Sequence, residues 1–186
     1  MEDKTELDKV LEKLKSVIES KPPKVKNILT AWLKSWSNFL VQEETFLPKF
    51  LPYYKRGDIV YVDFGFNIGA EYGGVHYAVV IEENNNKKNG NIIVVPLTSL
   101  DQGKSIEDIP PTDVYIGDNV IEWTEAATVA KPNQIRAVSK MRILKPLKSS
   151  DKRVRLTGEQ LALIDQKLQQ LIFPKTDNKK ENTENT

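Results

Sequence analysis

The chain has 186 residues, a formal net charge of +1, 39% hydrophobic and 28% charged residues, the profile of one globular domain with an appendage. Near-neutral charge removes any whole-chain argument for nucleic acid, so cations for a polyanion must be gathered locally. With no cysteine and a single histidine, a disulfide framework, a thiolate nucleophile, a cysteine metal site and a multi-histidine metal centre are all excluded.

The first fifty residues read as a separate unit. Leu7, Val10, Leu11, Leu14, Val17 and Ile18 recur at three- and four-residue steps, which places them on one face of a helix. Pro22 and Pro23 end it. Val25, Ile28, Leu29, Trp32, Leu33, Trp36, Phe39 and Leu40 then repeat the helical period with larger side chains. A helical hairpin over residues 1–52 is expected, with Pro48 and Pro52 marking a stiff exit. Burying a side chain of the size of Trp32 or Phe39 is worth about 1.5–3 kcal/mol, so the second helix needs a surface to cover. The short connection favours the next domain of the same protomer. No apolar run approaches the roughly 20 residues of a spanning helix. The acidic start, with Glu2, Asp3 and Glu6, lacks the basic-then-apolar order of a signal peptide. A cytoplasmic protein with no membrane partner is expected.

From Gly57 to Ile143 the apolar segments are short, rich in Val and Ile, and separated by turn residues, which argues a small β-barrel or strongly curved sheet. Strands are predicted at Asp58 to Phe64, from His76 onward, at Asn91 to Leu97, Thr112 to Ile116, Thr128 to Ala130 and Ala137 to Ile143. Asn84 to Gly90 and Asp101 to Pro111 are polar loops. Thr157 caps a closing helix whose apolar residues are Leu161, Ile164, Leu168, Leu171 and Ile172. The domain is bounded at 53–173. The polar tail at 174–186 is expected to be disordered.

Between Arg56 and Ser99 reactive side chains sit between buried strands. Arg56-Gly57-Asp58 opens a strand, Gly69-Ala70-Glu71-Tyr72-Gly73-Gly74 forms a glycine-rich turn with one acid, and Pro96-Leu97-Thr98-Ser99 ends a later strand. As an ordered set these elements resemble the PemK/MazF family of toxin endoribonucleases of type II toxin–antitoxin systems. The resemblance implies an SH3-like β-barrel, MazF/Kid/CcdB-like, with a C-terminal helix, here preceded by an N-terminal α-helical hairpin absent from the compact family pattern. It also implies a homodimer, a cognate antitoxin with which DNA is bound, and cleavage of single-stranded RNA or mRNA. Cleavage in the family needs no metal or other cofactor and leaves a 2′,3′-cyclic phosphate.

Such chemistry requires a group to take the 2′-OH proton, a group to protonate the leaving 5′-oxygen, and donors for the charged phosphorane. Glu71 and His76 meet the first two needs, and Thr98, at the family's hydroxyl position, supplies a donor with Ser99 as a second. The family commonly has Arg where this chain has His76; imidazole exchanges protons near neutral pH but supplies no permanent charge. Lys131, Asn133, Gln134 and Arg136 match the family's D/N-Q-x-R element, and Lys140 and Arg142 continue a basic run suited to phosphate contacts. The residues by themselves leave plainer readings open: His76 as a hydrogen-bonded structural histidine, Glu71 as a solvated loop carboxylate, Thr98 and Ser99 as strand-end residues, and the basic run as a solvated face. Two other functions stay in play: a catalytically silent nucleic-acid binder and a CcdB-like protein-targeting toxin. The hairpin is expected to dock on its own barrel, away from Glu71, His76 and Thr98.

Overall fold

The computed structural model describes residues 5–121 and 126–173; the tail expected to be disordered lies outside them. Helix α1 (Glu6–Glu19) starts at a capping box, in which the Thr5 hydroxyl accepts from the Asp8 amide and Asp8 returns a bond to Thr5. Helix α2 (Pro23–Glu43) opens on Pro23 in its first turn, where the missing N–H removes no helical bond. Among the described residues no helix is long and apolar enough to cross a membrane.

Seven antiparallel strands follow: β1 (Ile59–Gly65), β2 (Gly74–Val80), β3 (Asn91–Ser99), β4 (Val114–Asp118), β5 (Ala127–Ala130), β6 (Arg136–Ser139) and β7 (Ile143–Lys145). They hydrogen-bond in the order β4-β5-β3-β2-β1-β7, with β6 also on β3. The long strand β3 organises the sheet. One edge pairs β2 through Val94 to Pro96, while the other takes β6 along Asn91 to Val94 and then β5 along Leu97 to Ser99. Strand alternation divides the interior into two cores. Val60, Val62, Phe64, Ala78, Val80, Ile92, Val94 and Tyr54 fill one. Ile59, Val79, Val95, Leu97, Ile116 and Ala130 fill the other beneath Ile164 of α3 (Gly158–Ile172), which Thr157 and Gln160 cap reciprocally. The sheet does not close by hydrogen bonds, so barrel is an approximate description.

The strand predicted over Ala137 to Ile143 is two strands. A turn of 3₁₀ helix at Lys140–Arg142 separates β6 from β7, with the Ser139 hydroxyl accepting from the Met141 amide. The break lets the chain leave β3 for the free edge of β1, where Ile143 and Lys145 pair with Val62 and Tyr61. Local propensity could not show this crossing, because it is set by which edges are vacant.

Arg56-Gly57-Asp58 is scaffold. Asp58 is buried and accepts from Arg155 Nε at 2.8 Å, Arg155 Nη2 at 2.6 Å and the Lys55 amide at 2.8 Å. Arg56 donates to the Ile81 carbonyl and pairs with Asp165 of α3.

The hairpin docks in cis, as the short connection suggests, although its broad apolar face is only partly covered. No residue of α2 is fully buried, Trp36 and Leu40 stay about half exposed, and Ile18 is the one buried residue of α1. Its placement differs from the expectation: Trp32 reaches Gly65 at the end of β1, beside Gly74 and the loop that carries Glu71.

Candidate functional site

The β1–β2 loop, residues 66–73, is folded back by one of its own side chains and by two from the later strands and turns. Asn67 donates to the carbonyls of Phe64 at 3.2 Å and Tyr72 at 2.7 Å. Gln134 holds the crest from both sides of Glu71, accepting from the Tyr72 amide at 3.0 Å and donating to the Ala70 carbonyl at 3.3 Å. Arg136 donates to the Tyr72 carbonyl at 3.4 Å. Glu71 is thereby fixed through its neighbours' backbone while its own side chain is exposed.

Tyr72 is the hub. Its ring meets Phe64 edge-on at 5.8 Å between centroids and lies 4.6 Å from the His76 ring. Its hydroxyl is bonded to Thr98 and to the Leu97 carbonyl, and burial raises its pKa. The Lys131 ammonium stands 5.9 Å from the centre of the ring and is anchored to the buried Asp113 at 2.7 Å. Thr98, Ser99, Asp113 and Lys131, with Asp101 and Lys104, line a groove of about 160 Å³. Among the described residues no group of three His, Cys, Asp or Glu side chains is placed to hold a metal ion.

His76 pairs with Val62 across the β1–β2 ladder and is half buried. Burial lowers its pKa below the usual 6.5, opposed in part by a hydrogen bond to the Gly73 backbone. The imidazole is therefore favoured as a neutral proton acceptor at neutral pH. Because the fold disfavours its charged form, the unfolded chain binds the proton more readily. This contribution to stability is complete above pH about 6.5 and is lost as pH falls through the lower folded value. An NMR titration of the chain's only histidine is expected to give a midpoint below 6.5; a midpoint above it would mean an acidic partner, not burial, governs the group.

The structure thus gathers His76, Thr98, Lys131, Gln134 and Arg136 around Tyr72, with Ser99 and Asn133 exposed nearby on β3 and the turn Pro132–Gln134. Gln134 and Arg136 are engaged with the loop backbone. Two residues of the basic run stand apart. Lys140 is 2% exposed and donates to the Asn86 carbonyl at 3.0 Å, where burial lowers its pKa. Arg142 donates to the carbonyls of Asp63 and Phe64 at 3.2 Å each and lies against Trp32 and Phe39, so its guanidinium is engaged with β1 and α2. Sequence reasoning missed Tyr72 and Asp113. An aromatic residue inside a glycine-rich turn was a visible signal for Tyr72, whereas nothing local marks Asp113 as the anchor of a lysine eighteen positions on.

The family model described as PemK-like, MazF-like toxin of type II toxin-antitoxin system matches residues 55–172. Among solved structures, the chain is similar to crystalline MazF (Form-I) from Deinococcus radiodurans, with 20% identity, 65% of this chain and 96% of that chain covered, and a TM-score of 0.46. It is also similar to the MazE-MazF crystal (Form-II) from the same organism, with 19% identity, 66% and 96% covered, and a TM-score of 0.44. No curated protein matches its sequence. The family match takes in more than half of the chain and begins after the N-terminal hairpin, and this protein belongs to the PemK-like, MazF-like toxin family of type II toxin-antitoxin systems.

Proposed function

We propose that this chain is a metal-independent, sequence-selective endoribonuclease that cleaves single-stranded RNA. The observation carrying this reading is the convergence, around Tyr72, of a neutral-leaning imidazole, a strand-end hydroxyl and an anchored ammonium on the family fold. His76 accepts the proton of the ribose 2′-OH, whose oxygen attacks the adjacent phosphorus. The bond from phosphorus to the 5′-oxygen breaks, leaving a 2′,3′-cyclic phosphate and a 5′-hydroxyl. Glu71, exposed at the crest, is assigned delivery of the proton to the leaving oxygen. Thr98, Ser99 and Lys131 supply donors and charge for the phosphorane. Asn133, Gln134 and Arg136 form the flanking RNA contacts.

Family membership supports a cognate antitoxin protein as partner and a homodimer as the working unit, in the cytoplasm. Incubating the full chain with mixed RNA in EDTA and mapping the ends tests the reaction. Cleavage is expected to survive chelation and leave 5′-hydroxyl ends, and a 2′-deoxy substitution at the scissile nucleotide is expected to stop it, since the internal nucleophile is gone. A strict magnesium requirement, or cleavage of the deoxy substrate, excludes the mechanism. A silent RNA binder is the second reading, favoured by His76 standing in place of a permanently charged arginine; it would bind the deoxy oligonucleotide yet leave the all-ribose strand whole.

A further inference from the structure

A line of direct contacts runs from the N-terminal extension to His76. Gly65 ends β1 with φ of +82°, and its amide donates to Asp63 Oδ1 at 2.9 Å. The Trp32 indole rests on its bare Cα: a Cβ there would fall 2.6 Å from the ring. On the other side the Gly65 carbonyl faces Gly73 so closely that a Cβ on Gly73 would come within 2.7 Å. The Gly73 backbone is hydrogen-bonded to the His76 imidazole, whose Nε2 would lie 3.3 Å from a Cβ on Gly74. Neither Gly65 nor Gly73 can accept a side chain without displacing a neighbour, so the stack has little slack.

We propose that α2 positions His76, with Trp32 as a positioning residue that acts through Gly65 and Gly73. The proposal rests on the reading of His76 as the proton acceptor. Arg142 braces the arrangement. Its guanidinium donates to the carbonyls of Asp63 and Phe64 at 3.2 Å, immediately before Gly65, and stands 5.1 Å from the Trp32 ring and 5.9 Å from that of Phe39. Elsewhere the attachment is loose. A cavity of about 410 Å³ lined by Asn38, Gln42, Met141, Ile143 and Leu144 separates the later part of α2 from β7, and α2 has no fully buried residue. The extension therefore adds little to the core, and its close contact is concentrated at the root of the β1–β2 loop. A misplacement of about 1 Å in a reacting group can cost on the order of 10²-fold in rate, so a brace at this point bears on turnover more than on RNA affinity.

The test uses the full chain carrying Trp32→Ala, Trp32→Phe and Arg142→Lys. The imidazole resonances of the only histidine report its surroundings with or without RNA, and hydrogen exchange at the Glu71 and Tyr72 amides reports the loop. Trp32→Ala is expected to shift the His76 resonances, speed loop exchange about tenfold with β3 unchanged, and lower kcat about tenfold with KM within about twofold. Trp32→Phe, which keeps a ring on Gly65, is expected to restore most of each effect. Arg142→Lys is expected to move the same resonances while the domain stays folded, so the question is answered even if Trp32→Ala is unstable. Unchanged His76 resonances and loop exchange in folded Trp32→Ala and Arg142→Lys overturn the proposal, as does a rate loss that merely tracks global unfolding. If the unmodified chain cleaves no RNA, the nuclease reading fails, while the resonance and exchange measurements still decide whether α2 is coupled to the imidazole.

Discussion

His76→Ala is expected to lower the RNA cleavage rate about 10²- to 10⁴-fold, the usual contribution of a general acid or base, with the domain still folded. The imidazole lies 4.6 Å from the Tyr72 ring and is hydrogen-bonded to the Gly73 backbone, so its removal leaves a gap at the edge of the first core without opening the centre. Thr98→Ala is expected to cost less, because Ser99 and Lys131 border the same groove. Cleavage should also fall as pH drops through the folded His76 pKa, which burial holds below the usual 6.5, since protonation removes the acceptor form that burial favours. His76→Arg separates proton transfer from charge: arginine restores a permanent cation but accepts no proton. Near wild-type turnover in His76→Ala makes the histidine structural. Retained activity in His76→Arg alone transfers the role to electrostatic stabilisation.

Asp58→Ala is expected to produce the largest stability loss outside the cores, about 2–3 kcal/mol. Its carboxylate is 3% exposed and gathers the bonds from Arg155 and the Lys55 amide, with Arg153 Nη1 at 3.5 Å. The value falls at or below the range for broken buried pairs because Arg155 remains 47% exposed and can be rehydrated. A fall in Tm of about 5–10 °C follows for a chain of this size. Because Asp58 stands at the start of β1 and makes none of the contacts around Tyr72, kcat at 25 °C is expected to be unchanged. A Tm within about 2 °C of the unsubstituted chain would show that the arginines contribute little here.

Period and punctuation in the sequence determined the local elements. The three- and four-residue spacing of Leu7 to Ile18, ended by Pro22 and Pro23, specifies α1, and Thr157 before Leu161 and Ile164 specifies the start of α3, because helix caps and amphipathic faces are set by near neighbours. The ordered run from Arg56 through Glu71 to Thr98 likewise carried the family and hence the curved antiparallel sheet. What only tertiary structure decided is which side chains meet. Lys140 and Arg142 read as exposed cations in a basic run, yet one is enclosed near Asn86 and the other is held between β1 and α2. Lys131 and Asp113 become partners only because β4 and β5 pair. Tyr72 becomes a hub only when Gln134, Arg136 and Asn67 fold its loop back over His76. Trp32 is expected from sequence on the barrel of its own chain but away from Glu71; its seat on Gly65 follows from a close approach that the missing Cβ permits. Long-range contacts of this kind depend on strand order and on the two turns that bring β6 and β7 to opposite edges, and neither is encoded in any window short enough to read by periodicity.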